Sequence, residues 1–141
     1  MSRRLALAGG VLAALVVTSG AVFGHGDVQP QQINTDGLPA LGDTWRDENP
    51  YRGNELAVKI GSSGYNQNCA RCHGLQVISG GIAPDLRYLE KGKEGDEWFK
   101  ERVTHGAIID GMTKMPVFAG VISQEGLWAI RSYIESQHTD N

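Results

Sequence analysis

The chain has 141 residues, enough for one ordinary domain and too few for two sizeable cores. Aromatic residues make up only 7% and glycines number 19, so large side chains to fill an interior are scarce and a bulky apolar cofactor would make up the shortage. A formal charge of −3, with no basic patch carrying interleaved aromatics, excludes nucleic acid as a partner.

The first segment reads "MSRRLALAGGVLAALVVTSGAVFGHG". Arg3 and Arg4 precede an uncharged run from Leu5 to Val17, and small residues follow. That layout predicts a secretory signal peptide over residues 1–24, cleaved after Ala21 or Gly24. The competing reading is an uncleaved anchor, since about 20 residues can span a bilayer; the glycines, Thr18 and Ser19 weaken it. No stable membrane insertion is expected after processing. Loss of Arg3 and Arg4 would take the formal charge from −3 to −5. A modestly acidic surface suits a partner with a basic docking face, although net charge does not locate the patch.

Residues 25–53 are polar and rich in proline and glycine. They read as an N-terminal arm packed on the domain, pinned by Leu38, Leu41, Trp45 and Tyr51, with a mobile tip from His25 to Thr35. The stretch "NELAVKIGSSGYNQNCARCHG" predicts a helix capped by Asn54. Leu56 and Ile60 are four apart, and Gly61, Tyr65 and Cys69 repeat at the same interval, each set on one face. Gly61 offers a flat spot for a crossing helix; the alternative is a helix kinked at its glycines.

Cys69 and Cys72 are the only cysteines, and His73 follows the second directly. In an exported chain the pair can form a disulfide, and a zinc site is a second rival. A thioredoxin-type pair belongs in a βαβ setting, and zinc needs a second ligand cluster. His25, His105 and His138 are too scattered to supply one. Covalent attachment of haem c by C-x-x-C-H uses all three residues. The two thiols add to the vinyl groups, and the His73 imidazole reaches the iron.

Beyond the attachment site the chain is mostly loop. Ile82 and Leu86 can cover the haem, and the Pro84 carbonyl can accept a bond from Nδ1 of His73. Asp85 to Leu89 predicts one short turn. "DEWFKERVTHG" predicts a helix with Asp96 at its N-cap, Phe99 and Val103 on one face, and Gly106 as its stop. Arg102 and His105 read as surface or supporting groups. The loop "IIDGMTKMPVFAG" holds the only methionines apart from Met1. A thioether is a soft iron ligand, and a His/Met pair raises the potential. Met115 is favoured because Pro116 fixes the backbone beside it and Phe118 can wall off water. Met112, His105 and an open iron face remain alternatives. A final helix, capped by Ser123, carries Leu127, Ile130 and Ile134 at helical spacing, with Trp128 and Tyr133 beside them. It is the expected partner of the Gly61 helix. Residues 54–137 thus form the domain and 138–141 a tail. No stretch alternates as a strand, so the expected fold is all-α, with three to five helices and long loops around one covalent haem.

These residues resemble the class I c-type cytochromes over roughly Asn54 to Ser136. Gly61, Tyr65, Cys69, Cys72 and His73 look like that family's first helix and attachment site. Pro84 resembles its proline loop, Met115 with Pro116 its ligand loop, and Ile130 with Tyr133 its last helix. "NPYRGN", "YNQNCARCHGL", "SGGIAPDLR", "DEWF", "GMTKMPVFAG" and "WAIRSYIE" resemble the periplasmic cytochrome c-550 group more closely. That resemblance implies a cytochrome c-like fold, and Cys69, Cys72, His73, Pro84 and Met115 as cofactor-binding residues, with His73 and Met115 on the iron. It implies a non-enzymatic periplasmic carrier. Electrons come from a PQQ-dependent alcohol or methanol dehydrogenase, and go towards a terminal oxidase or another cytochrome. The alternatives are a carrier for a different periplasmic dehydrogenase or oxidase, and an open-site gas-binding or peroxidatic haem protein.

Overall fold

The computed structural model describes residues 29–140; the expected leader and residues 25–28 lie outside the described residues. Helix α1 spans Glu55–Asn68 and α2 spans Ala70–His73. Helix α3 spans Gly92–His105 and α4 spans Gln124–Ser136. Loops with short 3₁₀ turns at Leu75–Val77 and Leu86–Tyr88 join them. This is the all-α, cytochrome c-like fold that the sequence predicts. No helix among the described residues is long and apolar enough to cross a membrane.

The start of α1 follows from its cap. Asn54 Oδ1 accepts from the N–H groups of Leu56 and Ala57 at 3.0 and 3.1 Å, and Glu55 suits the positive helix end. The predicted single helix is interrupted at Cys69, whose N–H still reaches Tyr65 O, and it ends at Gly74, where φ is 82°. Helices α1 and α4 cross at Gly61: a Cβ there would stand 1.9 Å from Ala129 O. The buried face is therefore Ala57, Gly61, Gly64, Tyr65 and Asn68, not the Leu56–Ile60 pair. Close approach of two backbones needs small residues at the contact, which leaves Leu56 exposed at the flank.

Asp96 is not an N-cap. Helix α3 begins at Gly92, and Asp96 lies buried within it. Its carboxylate accepts from Arg131 Nε at 2.7 Å and from the Asn49 N–H at 2.8 Å, and it pairs with Arg52. Arg131 is itself buried, so this pair ties α3 to α4 through the interior. Ser123 does cap α4, accepting from the Gly126 N–H at 3.2 Å, and Gly106 (φ 70°) ends α3.

The methionine loop holds a small strand pair that the sequence reading leaves out. Strand β1 (Ala107–Ile109) runs antiparallel to β2 (Met112–Met115), with Ile109 opposite Met112 and Ala107 opposite Met115. Asp110 and Gly111 have φ of 51° and 73°, the two positive values that a two-residue hairpin turn demands.

The arm is tied down along the described part of its length. Leu41 N–H donates to Glu125 Oε1 at 2.7 Å, and Arg46 N–H to Gln124 Oε1 at 2.7 Å. Tyr51 O–H donates to Pro39 O, closing the arm on itself. Leu38, Leu41 and Trp45 pack on the core, and the Trp45 ring meets Trp128 edge-on at 6.3 Å. Of the expected mobile tip, residues 29–35 are also held, at Gln31 and Ile33.

Candidate functional site

One cavity of about 530 Å³ opens between the end of α1, α2, the proline loop, α3, the hairpin and α4. That volume falls within the roughly 300–1,000 Å³ of cofactor pockets. Its floor is apolar: Leu127, Ile130 and Ile134 from α4, with Phe99 and Val103 from α3. The helical spacing that buries these side chains thus also lines the site.

Cys69, Cys72 and His73 share one wall. Both thiols are free. Burial pushes the Cys69 thiol up to about 12, and Cys72 beside it adds to the rise. Among the described residues no group of three or more His, Cys, Asp or Glu side chains gathers to hold a cation.

His73 is buried, and Nδ1 lies 2.8 Å from Pro84 O. A carbonyl can only accept, so Nδ1 carries the proton and Nε2 is the nitrogen left to bind metal. Burial lowers the imidazole pKa, and the bond to Pro84 opposes that only in part. The ring is therefore a neutral donor. The proline loop is braced in turn. Asp85 accepts from the Ser79 N–H at 3.2 Å and from Arg87 Nη2 at 2.8 Å. The Arg87 guanidinium holds the Asp85 carboxyl well below the usual carboxylate range. Tyr65 O–H, whose pKa burial raises, donates to Gly74 O at 2.9 Å and ties α1 to the end of α2.

Met115 is half-buried and lines the cavity, with Pro116 and Phe118 beside it. Met112 sits at the hairpin end, 54% exposed, and does not line it. His105 is exposed and outside the lining. Ile82 and Leu86 both line the cavity, Ile82 as an exposed rim residue. Sequence reasoning missed lining groups that include Asn68, Trp98, Lys114 and the hairpin residues Ala107, Ile108 and Ile109, and it read Arg102 only as a surface or supporting group. Arg102 lies with its guanidinium 5.5 Å from the centre of the Trp98 ring. The i, i+4 step from Trp98 to Arg102 was the available signal.

The residues fit a haem: two thiols and a neutral imidazole on one wall, a thioether on the lining, and an apolar floor.

The family model described as "Cytochrome C oxidase, cbb3-type, subunit III" matches residues 56–134. Cytochrome c550 of Pseudomonas aeruginosa is 64% identical over 134 residues, covering 92% of each chain. Two quinohemoprotein alcohol dehydrogenases of Pseudomonas putida are more distant. ADH-IIG is 34% identical over 86 residues, 60% of this chain and 11% of that enzyme. ADH IIB is 33% identical over 84 residues, 60% of this chain and 12% of that enzyme. No solved structure matches the chain significantly. Fold, cavity and likeness agree: the chain belongs to the class I c-type cytochromes, closely related to cytochrome c550, with one haem c bound covalently through Cys69-x-x-Cys72-His73, and it is a periplasmic electron carrier rather than an enzyme.

Proposed function

We propose that the chain takes electrons one at a time from a PQQ-dependent alcohol dehydrogenase and delivers them towards a terminal oxidase. The observation that carries the donor is the likeness to two quinohemoprotein alcohol dehydrogenases, of which the matched stretch is only 11% and 12% of the length. A segment like this chain thus occurs inside enzymes of that name. The oxidase direction is supported by the description of the family whose model matches residues 56–134.

The haem, when bound, supplies a one-electron iron couple at a potential set by its ligands and surroundings. The chain's own residues do the rest. His73, its Nδ1 bonded to Pro84, would hold the iron through Nε2, and Met115 on the lining would be the thioether ligand. Phe118, Ile130 and Ile134 keep water from the buried edge. Redox encounters of this kind are small and brief, commonly under about 1,200 Å². The exposed rim at Ile82 and Ile108 is where a partner would touch. Residues 1–24 are read as the cleaved leader that precedes haem attachment outside the cytoplasm.

The test is stopped-flow mixing of the oxidised protein with a substrate-reduced quinoprotein alcohol dehydrogenase. Fast haem reduction is expected. No reduction, while another small cytochrome is reduced by the same enzyme, would refute the donor.

A further inference from the structure

Asn68 is the last residue of α1 and the immediate neighbour of Cys69. It is 3% exposed and lines the haem cavity. Its carboxamide is nevertheless committed to the N-terminal arm. Oδ1 accepts from the Gln31 N–H at 2.7 Å, and Nδ2 donates to Gln31 O at 3.2 Å. The second Nδ2 hydrogen goes to Gly64 O at 3.1 Å, one of the carbonyls near the helix end. A buried side chain thus pairs both ways with a peptide, as a neighbouring strand would.

Two residues further on, Ile33 sits in a notch made by glycines. A Cβ at Gly64 would come within 2.4 Å of Ile33 Cδ1, and one at Gly126 would stand 3.5 Å from Ile33. Gly64 lies on α1 and Gly126 on α4, so Ile33 spans both helices one turn away from Asn68. The arm lies outside the common core of the family. The family model begins at residue 56, and the two dehydrogenase segments cover 60% of the chain. The cytochrome c550 match, at 92%, is too long to omit residues 29–53.

We propose that Asn68 is a positioning residue for the haem: gripped by the arm at Gln31, it fixes the end of α1, and with it Cys69, Cys72 and His73, against the cavity wall. A loosened wall admits water and raises the local polarity. That favours the more highly charged ferric form, so the reduction potential falls. Added small ligands also gain a path to the iron. The inference rests on the haem seat and is independent of which enzyme donates the electron.

Gln31→Pro tests it. The substitution deletes the N–H that Asn68 accepts and leaves every cavity-lining side chain in place. Ile33→Ala is the second variant, emptying the glycine notch. Glu125→Gln is the control, because it weakens a separate anchor of the arm, at Leu41, by replacing a carboxylate acceptor with an amide oxygen, and touches neither Gln31 nor Asn68. Holoproteins are compared by redox titration with mediators and by imidazole binding to the ferric form. The expected result is a lower potential and several-fold faster imidazole binding in Gln31→Pro. Ile33→Ala should show the same direction, and Glu125→Gln values unchanged from the parent. Parent-like potential and imidazole binding in both Gln31→Pro and Ile33→Ala would overturn the proposal. So would an equal shift in Glu125→Gln, which would make the arm a general brace.

Discussion

Met112 and Met115 share a strand and meet unlike surroundings: one thioether stands in solvent at the hairpin end, the other lines the haem cavity. We therefore expect Met115→Ala to abolish the weak far-red band of ferric iron with a methionine ligand, and Met112→Ala to retain it. The reverse pattern in the two optical spectra would assign the ligand to Met112, and high-spin features in the parent protein would favour an open iron face. Asp96 makes a second residue-scale case. It answers a buried Arg131 through Nε, while Nη1 of that guanidinium has no hydrogen-bond partner among the described residues. Removing one member of a buried ion pair costs about 3–5 kcal/mol, because the other charge is left uncompensated. Asp96→Ala should lower stability by that order in denaturant titration, and an unchanged midpoint would contradict the role given to the pair. At this scale the legible residues were those whose chemistry or size is specific in itself. Cys69, Cys72 and His73 announce a reaction by their spacing, and Gly61 announces a missing side chain. Asn68 and Lys114 carried no such mark, since their surroundings come from segments distant in sequence.

Helix ends and faces were mostly readable, and the exceptions have physical causes. Asn54, Ser123 and Gly106 sit where capping chemistry places them. Asp96 imitated an N-cap because it precedes an apolar pair, whereas the helix starts four residues earlier. The hairpin was overlooked although "DG" between apolar residues is a strong turn signal; strands of three and four residues are too short to show alternation. The arm's grip on α4 has a pH signature. The Leu41 N–H, which outweighs burial, holds the Glu125 carboxyl below its ordinary value of 4.5. A carboxyl lowered by folding stabilises the fold above its unfolded pKa, and that contribution is lost as pH falls through the folded value. Thermal melts of the parent should thus lose stability below about pH 4.5 more steeply than melts of Glu125→Gln. Parallel curves for the two would show that the Leu41 contact carries no linkage. Asp85 shifts in the same direction through Arg87 and belongs to the background common to both proteins.

Across the whole molecule, one cavity gathers residues from six segments, and the apolar faces of α3 and α4 end on it rather than on each other alone. The scarcity of aromatics in the sequence had suggested a core completed by a cofactor, and the position of the cavity gives that suggestion a place. We expect the double variant Cys69→Ala/Cys72→Ala, purified without haem, to lack a cooperative native-like thermal transition, because the walls around that space lose their contacts. A sharp, parent-like melt would show that the polypeptide core suffices. Net charge was less instructive than its distribution. The chain is acidic overall, yet the cavity lining carries Arg102 and Lys114 and no carboxylate. The inference from total charge to a basic docking face on the partner therefore does not carry over to this side of the molecule. The central claim, a porphyrin joined through both cysteine sulfurs, is most directly tested by intact mass spectrometry of the exported protein after acid denaturation. We predict the mass of the processed polypeptide plus one haem, unchanged by denaturation; the bare polypeptide mass would contradict it.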